Sequence, residues 1–365
     1  MSTDKTYTVK VIDSLDKMRE ISGIWNDLLM QSSSNTIFLT WEWLYSWAEC
    51  FLEEKRKLFI LTIHKNEELV GIAPWYIHMI NLKISTLRQI EFLGSPEAGS
   101  DYLDVFTKKG KEKDVALCIY AFLLEEIPSR WDCLALKEIP SNSLFLLYFY
   151  NKIEEDGKYA EVNPGSFCPF VSLPKTEEEF FSSLSTHRRK RYKRDFRLLQ
   201  NGNKIRHDCF LKEGIQHVLH EFLPFMKDMK GYENEKVILF IKNVTLRCKE
   251  NNWVQIDILK SNGKIIASFF QFRYQDTLSL YIMATDKAFN PKISIGNVLV
   301  GLCIEKAIRE GISTIDFLKG AEDYKFYWTN NGRSSLKFRF FQKRFSPVVL
   351  ATVRFIKNTA KIILR

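Results

Sequence analysis

Two hydrophobic periodicities alternate along this chain, one of strand type and one of helix type. Tyr7 to Ile12 reads as a strand, followed by a helix from Asp13 to near Leu29. The polar stretch 31–36, QSSSNT, interrupts the pattern, and 37–51 reads as an aromatic helix with Trp43, Trp47 and Phe51 on one face. A hairpin is predicted from residues 58–64 and 69–78 about a turn at KNEE. Leu87 to Leu93 is a further strand, and 94–106 a glycine-rich loop entering a short strand. Lys111 to Glu126 reads as a helix and 133–139 as a strand.

The second half repeats this plan. Residues 253–274 form a predicted hairpin about Asn262-Gly263, a strong short-range turn signal. The two hairpins share the order strand, polar turn, strand, so two copies of one mixed αβ unit account for the length. The join falls near 163–174, where prolines are expected to interrupt any regular element. The division is therefore 1–165, 166–345 and a tail, 346–365.

Ser294 to Trp328 carries the densest pattern. Ile295, Leu299, Leu302 and Ala307 lie near one helical stripe, with Glu305 and Arg309 as an i,i+4 pair outside it. Gly311 is placed to cap that helix, and Thr314 to Leu318 reads as a strand ending at Gly320. Gly296 opens the helix, where free backbone N–H groups can face an anion.

A second helix follows Pro174, with Thr176 and Glu179 in a capping-box pattern. Phe181, Leu184, Tyr192, Phe196 and Leu199 form its apolar stripe. Arg189, Lys193 and Arg197 lie together on another face. Residues 187–197 carry seven Lys/Arg against one Asp, an excess beyond what solubility needs. The plain reading is a solvated face; the functional one is a phosphate or other anion site, for which the planar guanidinium is suited.

Composition narrows the class. A chain of 365 residues exceeds one ordinary core, and 45% hydrophobic with 27% charged residues is that of a globular protein. Seven cysteines, without a CxxC pair or His–Cys metal spacing, read as reduced thiols of a cytoplasmic protein with no metal. No apolar signal core opens the chain and no run reaches spanning length. The net charge of +9 is uneven: residues 324–365 hold many Lys and Arg and no acid. HExxH, GxSxG and GxxxxGK[ST] motifs are missing from the sequence.

Tyr281, Asp286, Ser294 with Gly296, Gly311, Asp316-Phe317, Gly320, Tyr324-Lys325 and Trp328 form an ordered set over about fifty residues. With Phe38 to Trp47, Val70 to Pro74, Phe92-Leu93-Gly94 and Asp101-Tyr102-Leu103-Asp104, the set resembles the cellulose-biosynthesis-like (CelD-like) GNAT-type acyltransferases, relatives of the Fem peptidyltransferases. The resemblance spans roughly residues 20–340. It implies an α+β fold of two tandem GNAT-like mixed-sheet domains with flanking helices. It implies acyl-CoA, acetyl-CoA foremost, as co-substrate, lying between splayed strands Leu278–Thr285 and Thr314–Leu318. The donor's phosphates would meet N–H groups of Ser294, Ile295, Gly296, Asn297 and Val298. Asp286 and Asp316 are candidates for base or substrate ligand, Tyr324 for protonating the leaving thiolate, and Lys325 for holding an anionic acceptor or the oxyanion. Arg189, Lys193, Arg197, Tyr281 and Trp328 are the substrate-binding candidates.

Each has an ordinary alternative: a turn cap for Asp286, backbone binding for Asp316, a place in the core for Tyr324 and Trp328. The loop Phe289–Ile295 departs from the glycine-rich phosphate loop of typical GNAT enzymes. That departure leaves open Fem-like aminoacyl transfer from aminoacyl-tRNA, or a non-catalytic protein that binds an anionic polymer. The expected acceptor is an amine or hydroxyl of an anionic sugar or lipid-linked glycan precursor. The tail is expected to be a cationic amphipathic helix from Pro347, with Arg354, Lys357, Lys361 and Arg365 able to touch an anionic membrane interface.

Overall fold

A computed structural model describes residues 6–82, 85–230 and 234–342. The tail and its expected amphipathic helix lie outside them. The chain divides into two compact units. Among the described residues, the first holds 6–35, 39–165 and 336–342, and the second holds 36–38 and 166–335.

In the first unit the order is β1 (Tyr7–Ile12), α1 (Leu15–Glu20), α2 (Ser22–Met30), α3 (Trp41–Phe51), β2 (Arg56–Leu58), β3 (Ile60–Lys65) and β4 (Glu68–Ala73). β5 (Trp75–Asn81), β6 (Thr86–Phe92), β7 (Phe106–Thr107), α4 (Glu112–Ala121), β8 (Cys133–Pro140) and α5 (Leu144–Glu155) follow. The helix expected from Asp13 is two helices meeting at Ile21, where Ser22 and Gly23, weak helix formers, begin the second. The aromatic helix begins at Trp41 rather than at residue 37, capped by Thr40, and it is core: Trp43, Trp47 and Phe51 are buried.

The first hairpin also differs from expectation. Its second strand is two strands, because Pro74 has no N–H to continue the ladder. β4 pairs with β3, while β5 pairs with β2 and β6. One sheet runs β1-β3-β4-β7 and another includes β8-β6-β5-β2. Gly71 in β4 is needed for close approach to α4, since a Cβ there would sit 2.8 Å from Val115 Cγ1.

β9 (Ala160–Ser172) carries the chain into the second unit, running through the prolines expected to break it. Pro169 loses a donor but still uses its carbonyl, which accepts from Phe317 N–H at 2.9 Å. Then come α6 (Glu177–Ser183), α7 (Thr186–Gln200), β10 (Ile205–Phe210), α8 (Ile215–Lys230), α9 (Glu235–Cys248), β11 (Val254–Ser261) and β12 (Lys264–Tyr274). β13 (Thr277–Thr285), α10 (Ile295–Arg309), β14 (Thr314–Asp316) and α11 (Asp323–Trp328) complete the unit, and β15 (Gly332–Phe341) carries the chain back into the first. The sheet order in this unit is β10-β11-β12-β13-β14-β9, antiparallel except for β13 and β14. α10 is the crossover that joins this parallel pair. Asn262 and Gly263 both have positive φ, 49° and 84°, as the predicted tight turn requires.

The expected single basic helix is α6 and α7, bent at Leu184. Each has its own cap: Thr176 Oγ1 accepts from Glu179 N–H at 3.2 Å, and Ser185 Oγ from Arg188 N–H at 3.3 Å. The break lets Phe180, Leu184, Tyr192 and Leu199 all reach one core with Leu299, Cys303 and Trp328. Both units are thus mixed αβ layers with flanking helices.

Candidate functional site

The parallel pair defines the site. β13 and β14 pair over three positions, Thr277 with Thr314, Leu278 with Ile315 and Ser279 with Asp316. β13 then continues to Thr285, while the chain after Asp316 turns to β9, with Leu318 at a φ of +58°. Two parallel neighbours that separate in this way leave the polar edge of one open to a ligand. Within the same stretch the β12 register steps from Gln271–Leu280 to Phe270–Ile282, so Tyr281 is the extra residue of a β-bulge. Its ring meets Phe270 and Phe272 of β12, at 6.2 and 5.5 Å between centroids.

β13 leads into α10 through a loop closed by side-chain caps. Asp286 Oδ1 accepts from Ala288 and Phe289 N–H at 2.9 and 3.2 Å, the turn cap weighed from sequence, and nothing among the described residues engages Oδ2. Of the five N–H groups expected to face phosphates, three are occupied. Ser294 N–H donates to Asp195 Oδ2 at 3.3 Å, Ile295 N–H to Ile293 O and Val298 N–H to Ser294 O. Gly296 and Asn297 N–H have no backbone acceptor among the described residues. The Asn297 Oδ1 is buried with no partner among the described residues. Gly296 faces β13, where a Cβ would stand 3.2 Å from Met283 Sδ.

Asp195 was not foreseen. It is 2% exposed, held by Arg194 at 2.7 Å, and puts a carboxylate at the positive end of α10. In the sequence it is the one acid within a basic run, with no spacing that marks it.

The residues after β14 are largely committed to the backbone. Asp316 Oδ1 accepts from Leu318 N–H at 2.8 Å, and Oδ2 from Arg333 Nη1 at 3.0 Å. Lys325 is 3% exposed, and its ammonium meets Leu318 O at 3.1 Å, Lys319 O at 2.7 Å and Glu322 Oε2 at 3.0 Å. Its three donors are therefore accounted for. Trp328 is 3% exposed and packs on Phe180 and Tyr192, inside the core rather than on a binding surface. Tyr324 is half-buried against the same core, edge-on to Phe317 at 6.3 Å. Burial, with Glu322 adding to it, pushes its phenol above the usual range, so it holds its proton more tightly than an ordinary tyrosine.

On α7, Arg189, Lys193 and Arg197 border a recess of about 700 Å³ that Phe181, Tyr192 and Glu305 also line. Among the described residues none of the three cations has an ion pair. Tyr192 anchors this wall. Its ring stacks on Phe181 at 5.2 Å, its hydroxyl donates to Glu305 Oε1 at 3.0 Å, and its phenol is raised by burial. It fits because Gly301 has no side chain: a Cβ there would stand 2.6 Å from Tyr192 Oη and nearer to the ring. An interior helix glycine costs about 1 kcal/mol, so Gly301 was itself a packing signal in the sequence. The expected Glu305–Arg309 pair is not formed. Glu305 faces Tyr192, and Arg309 pairs with Glu177 at 2.6 Å.

Among solved structures the chain is similar to FemX, at 11% identity and a TM-score of 0.57, covering 88% of this chain and 96% of that one. It is similar to L-PGS from Bacillus licheniformis, at 11% identity and 0.55, covering 91% and 95%. A conserved protein of unknown function from Bacteroides thetaiotaomicron gives 11% identity and 0.54, covering 92% and 100%. At such identities the likeness is one of fold. No curated protein matches the chain. Residues 186–326 match the family model described as an acetyltransferase (GNAT) domain, and that stretch includes α7, β13, α10 and β14. That match to an acetyltransferase (GNAT) domain lies within the second unit.

Proposed function

We propose that this domain transfers an acyl group from acyl-CoA to an amine or hydroxyl of an anionic sugar or cell-envelope glycan precursor. The observation that carries the reading is the separation of β13 from β14 after three paired residues, with the start of α10 directly beyond β13. In this reading the donor thioester lies along the open edge of β13, whose backbone groups hold it. The Gly296 and Asn297 N–H groups meet the donor's phosphates. The acceptor's heteroatom attacks the thioester carbon, the C–S bond breaks, and the thiolate takes a proton. Tyr324, kept protonated by burial, is the proton donor, and the open Oδ2 of Asp286 takes the acceptor's proton. Asp316 and Lys325 act by fixing the turn after β14, since their polar atoms are already engaged. Arg189, Lys193 and Arg197 hold the anionic part of the acceptor.

A second reading is favoured by Asp195. A carboxylate already occupies the end of α10, where a pyrophosphate would compete with it. With the basic face of α7, this suits an aminoacyl-tRNA donor, whose charge lies along a polymer rather than at one helix start. Among the described residues no helix is long and apolar enough to cross a membrane. The acid-free tail is proposed to hold the protein reversibly at an anionic lipid surface. Product mass from an amino-sugar acceptor, with acyl-CoA or with charged tRNA as donor, separates the two donors. Anion binding without product from either donor would favour a non-catalytic binding protein.

A further inference from the structure

A polar cluster lies inside the apolar core of the second unit, apart from the donor edge. On β10, His207 and Cys209 are two residues apart and share a face. Cys209 stands opposite Asp257 of β11, and Gln255 of β11 stands opposite Gln271 of β12. α10 brings Cys303 onto this face. A ring nitrogen of His207, an Asp257 carboxylate oxygen and Cys303 Sγ all lie within 4.8 Å of one another. Asp257, Gln271 and Cys303 are fully buried, and the His207 side chain is 20% exposed. Leu259, Phe269 and Leu299 belong to the core around them.

We propose that His207, Asp257 and Cys303, with Cys209 beside them, form a site for a single divalent zinc-class ion that ties α10 to β10 and β11. Imidazole, carboxylate and thiolate together are the donor set of a borderline-soft tetrahedral ion. A supporting shell is already in place. Gln255 and Gln271 each donate from Nε2 to Asp257 Oδ2, at 2.7 and 2.6 Å. That turns Oδ1 toward His207 Nε2, at 2.7 Å. Fixing a ligand carboxylate through its second oxygen is how such shells act. A lone His–Asp ion pair calls for neither two amide donors nor a buried thiol at the same point. The Gln271 Oε1 is buried with no partner among the described residues, an acceptor left over for a group the cluster does not itself supply.

Binding requires the Cys303 thiol to lose its proton to solvent as the Zn–S bond forms, and burial holds that thiol protonated until then. One carboxylate and one thiolate balance the ion's two charges. Ligand atoms about 2.0–2.2 Å from zinc sit roughly 3.4 Å apart in a tetrahedron. The His207 ring must therefore withdraw by less than about 1 Å, toward its exposed side.

The test uses the full chain, stripped with a chelator, kept reduced, and titrated with Zn2+ against a chromophoric competitor, with Co2+ as the optical probe. The expected results are one zinc per chain and a higher thermal midpoint. The Co2+ form should show thiolate-to-metal charge transfer and strong tetrahedral d–d absorption. Cys303→Ser and His207→Ala should each weaken zinc at least about tenfold. Cys118→Ser, a cysteine in the first unit, should not. Because either site variant can misfold, the wild-type Co2+ spectrum stands as an independent test. Absence of the thiolate band, or equal zinc affinity in Cys303→Ser and Cys118→Ser, overturns the proposal.

Discussion

Gly301→Ala tests how α7 is held against α10. The new Cβ would stand 2.6 Å from Tyr192 Oη and closer to two ring carbons. Ordinary carbon contacts begin near 3.5 Å, so the ring must retreat by about 1 Å or more. It is not free to do so. Phe181 stacks on it at 5.2 Å, Trp328 meets it edge-on at 5.7 Å, and Glu305 accepts from its hydroxyl at 3.0 Å. Overpacking of this kind costs about 1–3 kcal/mol. Losing the hydroxyl bond adds about 1 kcal/mol, and alanine's better helix propensity returns about 1 kcal/mol. The net expectation is a loss of about 1–3 kcal/mol, or roughly 2–10 °C in thermal midpoint for a unit of this size. Thermal unfolding followed by circular dichroism measures it. Tyr192→Leu in the Gly301→Ala background should recover part of the loss, giving a coupling energy in a double-mutant cycle. If Gly301→Ala alone stabilises the protein, propensity has won and the ring does not press on Gly301.

Three further expectations can be checked. Asp104 is buried, and desolvation raises its carboxyl to about 6 from 3.8, so the folded state binds the proton more tightly than the unfolded state does. Its contribution therefore makes stability fall as pH rises between about 4 and 6, by about 3 kcal/mol at most, and urea unfolding of wild type minus Asp104→Asn should show that slope. Replacing Arg189, Lys193 and Arg197 by Gln should weaken an anionic acceptor and flatten the salt dependence of its binding without altering the melting curve; an unchanged salt dependence in a binding titration counts against the α7 surface. The 365-residue chain should co-sediment with anionic but not neutral vesicles, and truncation after Phe345 should abolish this; loss of solubility on truncation would instead assign the tail to the fold.

Much of the architecture was legible from periodicity and turn chemistry. The Asn262-Gly263 hairpin, the aromatic helix at Trp41–Phe51 and the α10 helix with Gly311 after it follow from local signals. Breaks were less legible. Pro74 ends a strand, whereas Pro164 and Pro169 lie within β9, because a proline's effect depends on whether a neighbour needs its N–H. Site residues could be placed, but not their occupancy. Lys325 has the type and position of a catalytic cation, yet its three donors are taken by Leu318, Lys319 and Glu322. Asp195 reaches Ser294 across 99 positions of sequence, and no local spacing exposes such a pairing.

Acyl transfer is tested most directly by the mass of an amino-sugar acceptor after incubation with acyl-CoA, for wild type and for Gly296→Val. In the variant, bulk is added where Met283 Sδ is 3.2 Å away and where the free N–H groups of α10 begin. Wild type is expected to add one acyl group per acceptor, and Gly296→Val, while folded, to slow this at least about tenfold, the order of one lost charged hydrogen bond. Transfer from charged tRNA but not from acyl-CoA, or equal rates in the two proteins, would contradict it.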